Sequence, residues 1–317
     1  MNKLIYLLFL AFTGQQALAQ DINQIITKDY ADRLIKTLSS DEMQGRGTYT
    51  EGTDKAASFI ESEFKAIGLM PLAGESGYRQ NFTKNESDQR PLFNVAGMIP
   101  GKSKAKEIVV FSGHYDHLGI VKGNAQDSIA NGADDDASGV TAMIALAKYY
   151  KALNNNERTL IFVAFTAEEI GGFGAKYFSK KLNPDDVVAM FNIEMIGKES
   201  KFGKNAAFIT GFDKSDFGKI LQKNLEGTEF TFHPDPYPSQ NLFYRSDNAT
   251  LAALGVPAHT ISTDQIDKDP YYHTVKDEYS TLDTENILAT IKAIAKSAIS
   301  IVKGTDTPSR IPRLVEN

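Results

Sequence analysis

Two histidines and three carboxylates of this 317-residue chain have the side-chain types that bind divalent metals. They are His114 in GHYD, Asp135 in NGADDDASG, Glu169 in FTAEE, Glu194 in FNIEMIG and His273 in YYHT. Five such donors are enough to hold two divalent ions. Glu168, directly before Glu169, is left over to carry a proton. Together these side chains predict metal-assisted hydrolysis of an amide bond.

Each motif also has a purely structural interpretation. A single histidine at the end of a strand, such as His114, is often a hydrogen-bonded structural residue. Three aspartates before a helix can cap it, because carboxylates favour the positive end of the helix dipole. Paired glutamates are common at solvated helix starts. Glu194 resists such an explanation, because a carboxylate after the apolar run VVAMFNI is costly to bury unless it is paired or ligated.

Asp116 lies two residues after His114, and side chains at this spacing point the same way in an extended segment. A metal-bound imidazole usually donates its other N–H to a carboxylate or carbonyl, which selects the tautomer. Asp116 is therefore predicted to orient His114 rather than to bind the metal.

The elements that must position these residues are apolar strands alternating with helices. Strands are predicted at 94–99, 107–112, 159–165, 187–193, 206–210 and 256–262, with helices at 53–67, 140–150, 172–182, 214–225 and 284–302. This alternation predicts an α/β fold, with a mostly parallel central sheet covered by helices on both faces. His114, Glu168 and Glu194 each follow a strand, and sites in such sheets lie beyond the carboxyl ends of the strands.

Composition narrows the class of protein. The hydrophobic content of 42% and the charged content of 23% are ordinary for a globular protein. The net charge of −6 argues against nucleic acid or an anionic membrane as a partner. The chain has no cysteine, which excludes a thiol nucleophile and disulfides. It also has no G-x-S-x-G elbow of a serine hydrolase.

The N-terminus has the pattern of a secretory signal. Lys3 precedes an apolar run from Leu4 to Phe12, and Ala17-Leu18-Ala19 has the small residues of a cleavage site. We therefore predict a signal peptide at 1–19, one domain at 20–303 and a loose tail at 304–317. The mature protein is expected to be exported, to the periplasm or beyond, without a membrane partner after cleavage.

The ordered motifs GHYDH, NGADDDASGV, AFTAEEIGGFGA, FNIEMIG and YYHTVKDE resemble the co-catalytic dizinc aminopeptidase family, of the bacterial leucyl aminopeptidase type. The segments SSDEMQGRGTYTEGTDKAASFIESEFKAIGLMP and YRSDNATLAALGVPA resemble it as well. The resemblance extends from about Leu38 to about Val302. It implies a single zinc-exopeptidase-like domain, two Zn²⁺ ions and peptide substrates with a free N-terminus.

The resemblance also implies roles for individual residues. Asp135 would bridge both metals, His114 and Glu194 would complete one site, and Glu169 and His273 the other. Glu168 would be the general base, Asp116 would orient His114, and Tyr272, with Tyr244 as a rival, would polarise the scissile carbonyl. Arg245 would contact the substrate.

One residue departs from the family pattern. The position of Glu194 is more often aspartate, and the longer side chain affects the expected metal preference rather than the reaction class. Two other functions stay open at this point. A single-zinc glutaminyl cyclase would share the fold, but it needs fewer ligands than the five present. A non-catalytic binding ectodomain would not need Glu168.

Overall fold

The computed structural model describes residues 21–122 and 127–314. The predicted signal peptide lies outside the described residues. Within them, no helix has the length and apolar character needed to cross a membrane.

The described residues form eleven strands. They are β1 (Met70–Pro71), β2 (Arg79–Asn85), β3 (Asp88–Ile99), β4 (Lys104–His114), β5 (Gly119–Ile120), β6 (Ile129–Ala130), β7 (Arg158–Phe165), β8 (Val187–Ile193), β9 (Ala206–Ile209), β10 (Thr231–Pro234) and β11 (Ala258–Ser262). All residues of β7 and β8 are buried. Their continuous apolar character is that of strands covered on both faces.

The helices lie mostly where the sequence predicts them. They are α1 (Ile22–Ile25), α2 (Lys28–Leu38), α3 (Glu51–Ile67), α4 (Gly139–Leu153), α5 (Phe173–Lys181), α6 (Phe217–Asn224), α7 (Asn248–Ala253), α8 (Thr284–Ser297) and α9 (Ile299–Val302). Gly68 ends α3 with a φ of 80°, a left-handed conformation that glycine adopts without steric cost. The closing helix predicted at 284–302 is divided in two at Ala298.

Nine strands form one sheet in the order β1-β3-β7-β4-β8-β11-β9-β10, and β2 pairs with β3 at one side. The four central strands β7, β4, β8 and β11 are parallel, whereas β3 joins β7 and β9 joins β11 in antiparallel fashion. The parallel centre confirms the predicted α/β class. It also places the carboxyl ends of β4, β7, β8 and β11 at the same edge.

Side chains of the central strands alternate between two cores. Val109 and Phe111 of β4 pack on one face with α2, α3, α4 and α8, and Val110 packs on the other face with α5 and α7. This alternation follows from the two-residue period of a strand. The prediction of helices on both faces is confirmed.

The tail after residue 303 differs from its prediction. Its described part, residues 304–314, lies against the domain instead of hanging loose. Ile311 is buried in the second core, and Arg310 donates hydrogen bonds to the carbonyls of Pro184 and Val187. The tail has no helical or strand period, so this anchoring was not visible in the sequence pattern.

Candidate metal centre

The carboxyl edge of the parallel strands brings the predicted residues together. His114 is the last residue of β4 and pairs with Phe165, the last residue of β7. Glu168 and Glu169 follow β7 after two residues, and Glu194 directly follows β8. The common direction of these strands therefore delivers an imidazole and three carboxylates to one edge.

Asp135 lies between two imidazoles. Its Oδ1 is 3.1 Å from Nε2 of His114, and its Oδ2 is 3.2 Å from Nε2 of His273. Ligand-type atoms of His114, Asp135 and Glu169 lie within 4.8 Å of one another. A carboxylate that turns each oxygen toward a different imidazole has the arrangement needed to bridge two cations.

Glu169 contacts two histidines, His117 and His273. Its Oε2 is 3.2 Å from Nε2 of His273, and its Oε1 is 2.7 Å from Nδ1 of His117. His117 is the second histidine of GHYDH, and it is buried at the centre. Sequence reasoning missed this residue, although a second histidine directly after a buried strand was a visible signal.

The tautomer of His114 fits a metal ligand. Its Nδ1 lies 3.1 Å from the carbonyl oxygen of Asp116, which leaves the Nε2 lone pair for a cation near Asp135. This Nε2 is buried, and although Oδ1 of Asp135 lies 3.1 Å away, the contact does not have the geometry of a hydrogen bond. The contact differs in detail from the prediction, because the Asp116 carboxylate is further away, at 3.9 Å. That carboxylate instead accepts hydrogen bonds from the Glu168 backbone N–H and the Thr48 hydroxyl.

The carboxylates and imidazoles of the centre stabilise each other's charged forms. Burial alone would raise the pKa of Asp135, but the imidazoles of His114 and His273 hold it well below its usual range. Asp135 and Glu169 in turn raise the pKa of His273 to about 10. Because a metal binds neutral imidazole, a cation entering this centre would displace these protons. The donor set of imidazoles and carboxylates suits zinc.

Glu194 is held by polar neighbours at the edge of the centre. The Ser246 hydroxyl donates a hydrogen bond to its carboxylate, and the Asn192 amide lies 3.5 Å from the same oxygen. Burial raises the pKa of Glu194. Ser246 and the buried Asp247 belong to the YRSD segment, in which only Tyr244 and Arg245 were singled out from the sequence.

Glu168 lies beside the cluster but forms no ion pair with His114 or His273, the two histidines that Asp135 contacts. Its backbone N–H donates to Oδ1 of Asp116 at 3.1 Å, which fixes the turn after β7. Burial raises the pKa of Glu168 well above its usual range; the charge of His114 opposes this effect, and the carboxylate of Glu194 adds to it. A carboxyl whose pKa is raised in this way is suited to accept and return a proton near neutral pH.

Two further aspartates hold the turn that carries Asp135. The carboxylate of Asp136 accepts N–H groups of His114, Gly139 and Met195 at 3.0–3.2 Å, so it joins three segments of the centre. The Asp277 carboxylate accepts the backbone N–H of Asp135 at 3.0 Å. Within DDDAS, Asp136 thus binds backbone N–H groups, whereas Asp135 faces the imidazoles.

Arg46 joins the loops around the centre through hydrogen bonds to their backbone carbonyls. Its guanidinium is buried and donates to the carbonyls of Leu38 (2.7 Å), Tyr115 (2.8 Å), Asn131 (2.5 Å) and Gly132 (2.8 Å). No other donor can replace this geometry, because the planar fork reaches several carbonyls at once.

We expect Arg46→Leu to lower the free energy of unfolding by more than about 3 kcal/mol, because each buried acceptor left unpaired costs about 1–3 kcal/mol. Urea unfolding followed by circular dichroism measures this change. Arg90→Leu, which removes an exposed arginine paired with Asp88, is the matched control and should leave the unfolding midpoint nearly unchanged. Equal midpoints for both variants would contradict the structural role of Arg46.

The three predicted substrate-contact residues lie in different places. Tyr272 stacks on His273 with ring centroids 3.9 Å apart, and it lines a pocket together with Arg245 and Glu194. Tyr244 instead packs edge-on against Phe243, with centroids 4.7 Å apart. Of the three residues, Tyr272 and Arg245 thus line this pocket beside Glu194.

Known proteins resemble this chain in sequence and in fold. The sequence profile described as "Peptidase family M28" matches residues 94–298. A probable leucine aminopeptidase of Arthroderma benhamiae is 24% identical over 306 residues, which cover 93% of this chain and 80% of that protein. The chain spans only 38–43% of the length of the fungal probable zinc metalloproteases that it also matches.

Two solved structures illustrate the likeness in fold. The zinc aminopeptidase BSAP of Bacillus subtilis has a TM-score of 0.69 at 15% identity, covering 88% of this chain and 95% of that one. The glutaminyl cyclase of Porphyromonas gingivalis has a TM-score of 0.67 at 15% identity, covering 87% of this chain and 99% of that one. At such identities these structures establish the fold alone.

The profile match includes all five predicted metal donors, since residues 94–298 contain every motif from GHYDH to YYHTVKDE. The chain therefore belongs to peptidase family M28, and the resemblance to the dizinc aminopeptidases is confirmed at the level of the family.

Proposed function

We propose that this protein is a zinc-dependent aminopeptidase that hydrolyses the first peptide bond of peptides with a free N-terminus. The observation that carries the proposal is Asp135, whose two oxygens face His114 and His273 from opposite sides. That arrangement supports a pair of zinc ions rather than one. The export of the protein rests on the N-terminal sequence and stays a prediction.

The proposed zinc ions would be held by the five predicted donors. His114 and Glu194 would bind one ion, Glu169 and His273 would bind the other, and Asp135 would bridge them. When bound, such ions polarise the carbonyl and lower the pKa of water. Asp116 would hold His114 in the tautomer that presents Nε2.

Glu168 would move the proton in this reaction. It would accept a proton from the attacking water as the new C–O bond forms at the peptide carbonyl. It would then give this proton to the departing amine nitrogen as the C–N bond breaks, so that one water is consumed for each bond cleaved. The Tyr272 hydroxyl would donate a hydrogen bond to the carbonyl oxygen as negative charge develops there.

The alternatives have less support. The likeness to a glutaminyl cyclase concerns the fold, and a cyclase using a single zinc ion would leave part of the donor set without a role. A binding ectodomain would have no need for a glutamate with a raised pKa beside a metal cluster. Zinc content separates the cyclase from the aminopeptidase, because the proposal requires two ions per chain. Turnover of aminoacyl anilides separates both enzymes from the ectodomain.

The proposal predicts that substrates need a free α-amine, because an exopeptidase uses the amine to set the register of the peptide at the metal centre. Aminoacyl p-nitroanilides and their N-acetyl forms should be compared at saturating zinc. We expect the free compounds to be hydrolysed and the acetylated ones to lose at least about 10²-fold in kcat/KM, since both binding and alignment are lost. Comparable rates would contradict an aminopeptidase.

A further inference from the structure

A pocket next to the candidate metal centre has a buried carboxylate, Asp264, in its lining. The pocket holds about 480 Å³ of empty space counted out to its open mouth, and its walls include Glu194 and Tyr272 of the centre, the apolar Phe208 of β9, and Asp264 just after β11. A second, wider groove of about 1130 Å³ lies on the side of His117 and Glu169. The smaller pocket is the one suited to a single side chain.

The pocket lining follows from the period of β11. Thr260, Ser262 and Asp264 are spaced two residues apart, and all three line the pocket. Alternate residues of an extended chain point to the same side. The two hydroxyls already have partners, because Thr260 donates to Asn248 and Ser262 donates to the carbonyl of Met195. Of these three alternating residues, only Asp264 is acidic.

Asp264 lacks the partners that a buried carboxylate requires. Only 2% of its surface is exposed, and neither carboxylate oxygen accepts a hydrogen bond from any residue in the described ranges. A buried charge without a partner is costly. Such a residue beside a substrate pocket therefore points to a partner that arrives with the ligand.

The neighbouring ammonium is already shared by other carboxylates. Oxygens of Asp134, Asp264 and Asp269 lie within 4.8 Å of one another. The Nζ of Lys198 is 2.8 Å from Asp269 and 3.6 Å from Asp134, so this one cation serves those two residues. Burial raises the pKa of Asp264 to about 8; the charges of Asp134 and Asp269 add to this effect, and the charge of Lys198 only partly opposes it. An incoming cation would offset both causes.

We propose that Asp264 binds the ammonium or guanidinium end of the substrate's first side chain, and that the enzyme therefore prefers N-terminal lysine or arginine. This inference rests on the proposed aminopeptidase function. The stem of either side chain is apolar and would lie along Phe208, while its charged end meets Asp264. The exposed Arg245 also lines the pocket, but water screens its charge more strongly than that of the buried Asp264.

The test compares lysyl, arginyl, methionyl and glutamyl p-nitroanilides on the same enzyme preparation. Methionine matches lysine in its unbranched shape but has no charge. We expect kcat/KM for the lysyl substrate to exceed that for the methionyl substrate by at least about 10-fold, and Asp264→Asn to lower this ratio by about 10²-fold, the size of effect that follows the loss of one partner of a buried charge pair. A ratio of two substrates cancels differences in folded fraction or zinc content.

Asp267→Asn is the matched control, because it removes the same charge from an exposed position in the same loop. Its lysyl-to-methionyl ratio should equal that of the wild type. A melting curve of Asp264→Asn checks that the variant is folded, and the loss of an unpaired buried carboxylate should not lower its midpoint.

The outcomes separate this inference from the function on which it rests. If no free aminoacyl anilide is hydrolysed, the aminopeptidase proposal fails as a whole. If methionyl or glutamyl anilide is preferred over lysyl and arginyl anilides, only the role of Asp264 is overturned. Millimolar Ca²⁺ that raises the melting midpoint of the wild type but not of Asp264→Asn would also overturn it, because the carboxylates would then hold an inorganic cation.

Discussion

Replacing Glu168 by glutamine should lower kcat by about 10²–10⁴-fold, while the zinc content of the protein stays unchanged. Glutamine keeps the shape of the side chain and its backbone contact with Asp116, but it cannot accept a proton from the attacking water. Burial raises the pKa of Glu168, as expected of a group that must both take up and release a proton. Steady-state kinetics at saturating zinc, with elemental analysis of the same sample, measures both quantities.

Glu169→Gln is the matched control for this experiment. Glu169 differs from its neighbour because its two oxygens face His117 and His273 in the cluster. The control should therefore lose zinc affinity, and its activity should partly return when zinc is added in excess. A folded Glu168→Gln enzyme that binds two zinc ions and turns over at the wild-type rate would remove the proposed mechanism.

Removing zinc with a chelator should abolish turnover and also lower the melting midpoint. The centre gathers three carboxylates in a buried space, and without a cation their mutual repulsion opposes folding. A ligand present at 100 times its dissociation constant stabilises the folded state by about 2.7 kcal/mol, and a loss of this order is expected for each ion. Activity should return on titration with zinc and reach its plateau near two equivalents per chain.

The control is the same chelator already saturated with zinc, which should change neither activity nor the melting midpoint. Elemental analysis of the untreated active protein provides an independent count of the ions. Active protein without bound metal, or activity that survives the chelator, would contradict a metal-dependent reaction.

The strands and the order of the motifs were predictable because they depend on short stretches of sequence. The run VVAMFNI has the length and composition of a buried strand, and β8 has the predicted bounds at Val187–Ile193. Glu194 directly after it was therefore expected at the carboxyl edge of the sheet. The same reasoning placed His114 and Glu168, because parallel strands end at one edge whatever their order in the sheet.

Other features depend on segments that are distant in the sequence. The tail was expected to be loose, but Arg310 reaches the carbonyl of Val187, and only the folded chain brings these residues together. The pairing of His117 with Glu169 likewise joins two loops after different strands. Neither contact has a local period or composition that a sequence pattern could reveal.

Thus short stretches of sequence determine the types of the candidate metal donors, their positions after strands and the α/β class, since hydrophobic period and residue chemistry are local properties. The orientation of each donor atom is a property of the assembled fold. Asp135 could have been a helix cap, and its two oxygens face His114 and His273 only because Arg46, Asp136 and Asp277 hold the intervening loops. Asp264 shows the same dependence, because this aspartate just after β11 becomes a buried carboxylate without a hydrogen-bond partner, next to Asp134 and Asp269, only in the folded chain.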